Sequence, residues 1–417
     1  MDVLFALFLL MQSLLHSDQD MTGSTQIGMI RAMLADSIRP DGAAGGSAQE
    51  GGQAGQPDGE QGQTADPQPD APKIKGIYVT AYSAGGARMK ELLDLVDRTE
   101  LNAMVIDIKD DRGYITYKTD NPELAKYGTS QSYIKDIGKL MDTLREHDIY
   151  PIARIVVFKD SVLAKKRPDL SFLNPDGSVW QNSKKDHFVN PYLKEVWEYN
   201  VAVAEEAARL GFKEIQFDYV RFPEGFEKRA DKLKYAKTEE SRVDVVAGFV
   251  EYAQERLRPL GVRVSVDIFG YAASVPAAEG IGQDFVKISS HVDVICPMVY
   301  PSHYSTGWFG QKDPDKAPYA TVKGAMEDTH KKLAELGNAK PIIRPWIQDF
   351  TAKWLGKGHY IPYGVKEVED QIRALADTGI DEFLLWNAGN KYTAGVDYTL
   401  ADKAVREKNA EEAASGG

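Results

Sequence analysis

The chain has 417 residues, with 62 Asp and Glu against 50 Lys and Arg, a formal net charge of −12 and a pI near 5.2. That balance argues against nucleic acid as a partner, which calls for a basic stripe, and leaves neutral or cationic substrates ahead of polyanions. The single cysteine, Cys296, permits neither a disulfide framework within a monomer nor a thiolate metal cluster.

Residues 1–16 carry the apolar run DVLFALFLLMQSLL. It has the length of a signal-peptide core and falls short of the roughly 20 residues that span a membrane. Asp2 rather than a basic residue precedes it, so an uncleaved anchor is an option beside a cleaved leader, and an amphipathic helix on a cytoplasmic protein is the competing possibility. Export, as a secreted or membrane-tethered protein, is the expectation. Residues 17–72 form a linker whose second half, 41–72, holds no aromatic and no large aliphatic side chain. Such a stretch cannot bury enough apolar surface to offset its ordering entropy, so it is expected to be a disordered tether, and the tail 409–417 to fray.

Between them, residues 73–408 alternate strand and helix patterns. Strands are expected at 76–82, 103–109, 150–157, 214–220, 263–270, 292–300, 341–348 and 382–388, each short, rich in β-branched or aromatic residues and bounded by turn residues. Helical spacing of apolar residues falls at 88–98, 132–147, 192–210, 240–258, 281–289, 317–336, 364–377 and 399–408. Eight such units make an α/β fold, a (β/α)8 TIM barrel, with chemistry expected at the C-terminal ends of the strands. An open doubly wound sheet is the alternative, but YSAGGARM after the first strand lacks GxGxxG spacing and is expected to be a turn. The loops after strands three, four, six and seven (158–191, 221–239, 301–316 and 349–363) are longer than those after helices, as function-bearing loops are.

Alternation along each strand selects the residues that face the barrel interior. In EIQFDYV, Ile215, Phe217 and Tyr219 suit the helix side, which places Gln216 and Asp218 inside. In RVSVDIFG the same logic turns Ser265 and Asp267 inward on the neighbouring strand. Asp107 and Lys109 share a face on strand two, Arg154 comes from strand three, and Arg344, Trp346 and Gln348 share a face on strand seven. Two carboxylates on adjacent strands raise the proton affinity of one, giving an acid and an ionised carboxylate, the pair that cleaves glycosidic bonds. Asp218, with Arg154 or Arg221 beside it, is the candidate nucleophile or base, and Asp267 the candidate acid. The competing account is a salt-bridge network with Arg154, Arg221 and Arg344.

Asp110, Asp111 and Gly113 suit a turn, and Asp107 suits substrate positioning or a third carboxylate role. Six tryptophans and 20 tyrosines offer faces on which sugar rings stack. Tyr82, Tyr300, Trp346, Trp386 and Asn387 fall at strand ends, and Trp180 and Trp308 in long loops; core packing is the alternative for each aromatic. Seven histidines include no HxH or HExxH, with His187, His303 and His359 in separate loops, so no metal site and no cofactor is expected. Cys296 suits a small core residue on a strand.

KGIYVTAYSAG, NAMVIDIKDDRGYITY, YPIARIVVFKD and EIQFDYVRFPEG resemble the putative glycosyl hydrolase domain of exported bacterial proteins, over roughly residues 73–400. The resemblance implies an α-amylase-like barrel with an Asp nucleophile ending strand four and an acid ending strand five, the places of Asp218 and Asp267. The amylase acid is usually Glu, and the amylase Arg two residues before the nucleophile is replaced here by Gln216. A monomeric glycoside hydrolase acting on a cell-wall or extracellular polysaccharide is the expectation. The rivals are a glycan-binding barrel without catalysis and a metal-assisted carbohydrate deacetylase.

Overall fold

The structure, a computed structural model, describes residues 73–402. The expected leader, linker and tail lie outside the described residues, as does the expected final helix beyond its start at residue 400. Runs such as AMVIDIK are buried on both faces, as strands of a parallel sheet covered by helices must be. The strands in chain order are β1 (Lys75–Val79), β2 (Ala103–Lys109), β3 (Ile115–Tyr117), β4 (Ser130–Ile134), β5 (Tyr150–Val156) and β6 (Glu214–Asp218). They continue with β7 (Arg263–Phe269), β8 (Val294–Met298), β9 (Ile342–Ile343), β10 (Trp346–Gln348) and β11 (Phe383–Trp386). Parallel pairing runs β1–β2–β5–β6–β7–β8–β10–β11 and returns from β11 to β1, which closes an eight-stranded barrel. The seventh barrel strand is divided into β9 and β10 at Pro345, which has no N–H to donate.

Helices Arg88–Asp97, Ile137–Glu146, Lys194–Leu210, Arg242–Leu257, Pro318–Leu333 and Val365–Asp377 surround the barrel close to their expected places. Gly211 caps helix Lys194–Leu210 in the left-handed region at φ 105, as its position in the sequence suggests. Two of the expected helices start later. Residues 132–134 belong to β4, and the helix starts only at Ile137, because the Asp136 side chain accepts from the Lys139 N–H and fixes the first turn there. The helix expected from 281 is the short Phe285–Ser289, since Ala278 and Gln283 bridge to each other first. The strands β3 and β4 are an insertion after β2 that strand counting did not anticipate. YSAGG is a one-turn helix, Ala81–Ala84, ended by Gly85, where a Cβ would lie 2.1 Å from the Tyr133 carbonyl oxygen.

Apolar side chains fill two layers. Outside the sheet, Ile215 and Phe217 of β6 pack towards the helices, with the Phe217 ring 5.4 Å from that of Phe249. Each such fully buried side chain contributes about 1.5–3 kcal/mol. Inside the barrel Val105, Ile152, Val294, Cys296 and Leu384 form a smaller cluster, and burial raises the Cys296 thiol pKa.

Candidate active site

Because Ile215 and Phe217 face outward, Glu214, Gln216 and Asp218 point into the barrel at three heights. At the floor Glu214 receives Arg344 Nη1 at 2.7 and 2.9 Å, and Arg344 Nε reaches Glu382 at 2.8 Å. One layer up, Gln216 Nε2 donates to Cys296 Sγ at 3.3 Å. At the mouth Asp218 Oδ2 accepts from Arg154 Nε at 3.0 Å and Nη2 at 2.5 Å. Register sets Phe217 of β6 opposite Val266 of β7, so the next step stands Asp218 beside Asp267.

Arg154 is the hub. Besides Asp218, its Nη1 donates to Asp107 at 2.7 Å and to Asp111 at 3.1 Å. Burial alone would weaken the guanidinium, but Asp111, Asp218 and Asp107 more than offset it and raise its pKa. Asp107 also accepts from the Tyr78 hydroxyl at 2.6 Å. Its carboxyl is pushed up to about 7 by burial, against the pull of Arg154. Burial and then the neighbouring Asp218 charge push Asp267 well above the usual carboxylate range. Trp346 Nε1–H, donating to Asp267 Oδ1 at 2.7 Å, and Arg154 oppose that rise only in part. Asp111 goes the other way: burial would raise it, but Arg154 and Lys159 hold it below the ordinary range.

These groups open onto a cavity of about 390 Å³, within the range of small-ligand sites. Aromatic rings wall it. Trp386 stacks on Tyr78 at 4.1 Å, and Trp346 meets Trp386 edge-on at 5.5 Å. Tyr300 stands 6.3 Å from Trp386, and Phe350 lies stacked with Trp354 at 5.6 Å. Apolar faces beside charged edges suit a sugar ring, whose faces are apolar and whose rim is hydroxylated.

The cavity brings together Asp218, Asp267, Arg154, Arg221, Tyr300, Trp346, Trp386 and Asn387, with Asp107 buried alongside through Arg154 and Tyr78. Five other residues proposed from sequence are placed elsewhere. Lys109 turns to the helix side, because the register slips by one residue between Asp107 and Lys109. A one-residue bulge reverses the faces that follow it, so Lys109 ends in a buried ion pair with Asp160 at 2.7 Å. Arg344 is sealed into the floor and Gln216 lies beneath the mouth. Gln348 is buried behind the rim, bonded to Ser302 and Asp315. Tyr82 is 61% exposed and packs on Tyr133, away from the cavity. Trp308 packs on Tyr304, and Trp180 lines a second hollow.

Several cavity residues were not singled out in the sequence as lining residues. Asp110, Asp111 and Gly113 make the turn as expected, with Gly113 at φ 101; Asp110 Oδ1 accepts from the N–H groups of Arg112, Gly113 and Tyr114, and the Asp111 side chain is left to reach Arg154 and Lys159. Tyr219, expected on the helix side, adopts φ 53, a strained left-handed conformation for a non-glycine residue. The strand ends one residue earlier, and the reversal brings Tyr219 into the mouth, its hydroxyl 3.4 Å from Lys159 Nζ. His303 lines the cavity and meets Ser302 Oγ at 3.0 Å, its pKa pushed down to about 3 by burial and then by Lys184. His187 is buried beside Ser161, and His359 pairs with Asp313 at 2.7 Å. Tyr78, at a strand end, carried a signal that alternation could have used.

Among the described residues no three His, Cys, Asp or Glu side chains are grouped as a metal ion requires, and no helix is long and apolar enough to cross a membrane. No curated protein matches the chain. A hypothetical protein from Ruminiclostridium thermocellum ATCC 27405 is 35% identical, over 46% of this chain and 96% of that one, with a TM-score of 0.42. The PgaB (BpsB) glycoside hydrolase domain from Bordetella bronchiseptica superposes with a TM-score of 0.51 at 12% identity, covering 76% of this chain and 94% of that one. A beta-galactosidase from the psychrophilic Marinomonas ef1 gives 0.53 at 13% identity, over 81% of this chain and 59% of its own. At those identities the last two likenesses speak to the barrel fold. The family model of the putative glycosyl hydrolase domain matches residues 76–392, and the chain belongs to that family.

Proposed function

We propose that the protein hydrolyses O-glycosidic bonds of a cell-wall or extracellular polysaccharide with Asp267 as acid and Asp218 as nucleophile. The carrying observation is the unequal treatment of two carboxyl groups side by side. Asp218 receives both Nε and Nη2 of a guanidinium, whereas Asp267 receives one indole N–H and is driven by burial and by Asp218 to hold its proton. Adjacent strands lie about 4.8 Å apart. Side chains paired across that gap match the roughly 5 Å separation of retaining enzymes better than the wider inverting one.

In this scheme the Asp267 proton passes to the glycosidic oxygen as the bond from that oxygen to the anomeric carbon breaks. An Asp218 oxygen bonds to the anomeric carbon, forming a glycosyl ester. Water then replaces Asp218, giving its proton to Asp267 and restoring both groups. Arg154 anchors Asp218, while Trp386, Trp346 and Tyr300 supply stacking faces. The apolar leader and the polar segment after it support action outside the cytoplasm, on a catalytic domain held by a tether.

Asp218→Asn keeps the size and shape of the side chain but removes the charge and one of the two acceptor oxygens that Arg154 and the Tyr219 N–H engage. Turnover should fall at least about 10³-fold while the barrel stays folded by circular dichroism. Early hydrolysis products, followed by proton NMR, should keep the anomeric configuration of the substrate. Unchanged turnover in the variant would overturn the assignment, and tight glycan binding with no cleavage by the wild type would favour a binding barrel.

A further inference from the structure

A second hollow, of about 730 Å³, lies beside the mouth and is walled by parts of the loops after β5 and β6. Lys184 lines both hollows, so the two adjoin. Lys184, Lys228, Arg229 and Lys232 face the second one against a single carboxylate, Glu224, which Arg221 already engages at 2.8 Å. None of these four cations makes an ion pair among the described residues, although acidic side chains outnumber basic ones in the chain as a whole. Charge runs on protein surfaces are commonly solvated faces, but these cations surround a concavity, where low-dielectric walls focus their field. Trp180, buried, adds an apolar wall. Burial lowers the Lys184 pKa, with Lys159 and Arg221 adding to it and Glu224 and Asp186 opposing, so an incoming anion would favour its charged form.

We propose that this hollow is a subsite for a negatively charged sugar unit, carboxylate- or sulfate-bearing, of a glycan whose adjoining linkage lies over Asp218 and Asp267. The placement of the linkage rests on the glycosidase mechanism above; the anion site itself does not. Net charge argued against polyanionic substrates, but it averages over the chain, whereas a subsite answers to the local field of four cations.

The test uses the full chain and its Lys228→Ser/Arg229→Ser/Lys232→Ser variant, whose altered side chains are exposed. Binding is measured by calorimetry to oligomers of glucuronate, galacturonate and mannuronate, to their carboxyl-reduced twins, and to a sulfated neutral oligomer. At least one anionic oligomer should bind about tenfold or more tighter than its uncharged twin. The preference should weaken with added salt and disappear in the variant. Preference for a uronate names a carboxylate as the ligand group, and preference for the sulfated oligomer names a sulfate. Equal binding of every charged and uncharged pair, no binding at all, or a preference that survives in the variant overturns the proposal. A selective anion site without cleavage of any oligomer would leave it standing and remove the glycosidase mechanism instead.

Discussion

The barrel holds two buried arginines among carboxylates, one at its floor and one at its mouth, and they serve different ends. Arg344 lies between Glu214 and Glu382 with no measurable exposure, and it does not line the cavity at the mouth. Arg154 faces three carboxylates, with Asp267 close by, and opens onto the cavity. Both sets carry the desolvation cost of burying charge. At the floor one guanidinium is shared between two carboxylates, with Arg344 Nη2 lacking a hydrogen-bond partner among the described residues. At the mouth burial, joined by neighbouring carboxylates, leaves Asp107 and Asp267 holding protons at pH values where ordinary carboxylates do not. A buried ion pair is therefore poor evidence of function alone; the excess of like charge facing open space is what distinguishes the mouth.

The sharpest way to break the comparison is to cut each set once. Arg344→Met strands Glu214 and Glu382 without a cation, and removing one side of a buried pair costs about 3–5 kcal/mol. Chemical denaturation should show that loss, with turnover per folded molecule within about twofold of wild type. Asp218→Asn should do the reverse. Arg154 keeps Asp107 and Asp111 as partners, so stability holds while turnover collapses. Equal stability losses in the two variants would erase the distinction.

Smaller, but specific to the mouth, is the pH dependence of stability. Asp107 rises from an ordinary 3.8 to about 7 on folding. The folded state thus binds a proton that the unfolded chain has released, and stability from this group is full below about pH 4 and lost as pH rises through about 7. Asp111, shifted downward, acts in the opposite sense and at lower pH. Subtracting the melting temperature of wild type from that of Asp107→Asn isolates the Asp107 contribution, and the difference should grow from pH 4 to pH 8. A flat difference would mean that Asp107 ionises alike in both states.

Much of this was legible in the sequence, for a physical reason. Strand alternation is local, so Ile215 and Phe217 alone were enough to turn Asp218 inward, and Val264, Val266 and Ile268 did the same for Asp267. Alternation fails where the backbone departs from a regular strand. The bulge before Lys109 and the positive φ of Tyr219 each reverse a side chain with no mark in the hydrophobic pattern. Floor and mouth also look alike in sequence. Arg344 and Trp346 share a face of one strand, and only the closed barrel shows that they stand at different heights. Loop residues such as Asp111, Lys184 and His303 reach the site through long-range folding, which local pattern does not encode.

The finest test concerns the direction of one hydrogen bond. Trp346 Nε1–H donates to Asp267 at 2.7 Å, and a donor favours the charged form of a carboxyl group. Trp346→Phe removes that donor, so Asp267 should hold its proton to still higher pH. An acid must be protonated to act, so activity falls as pH rises through its titration. The alkaline limb of the kcat/KM profile should therefore move to higher pH in the variant, while the acid limb stays in place. The smaller ring leaves a gap in a fully buried site and lowers stability, yet that loss scales the whole profile and does not move one limb alone. Were Asp267 instead the nucleophile, it would need to be ionised, and the same substitution would carry the acid limb upward.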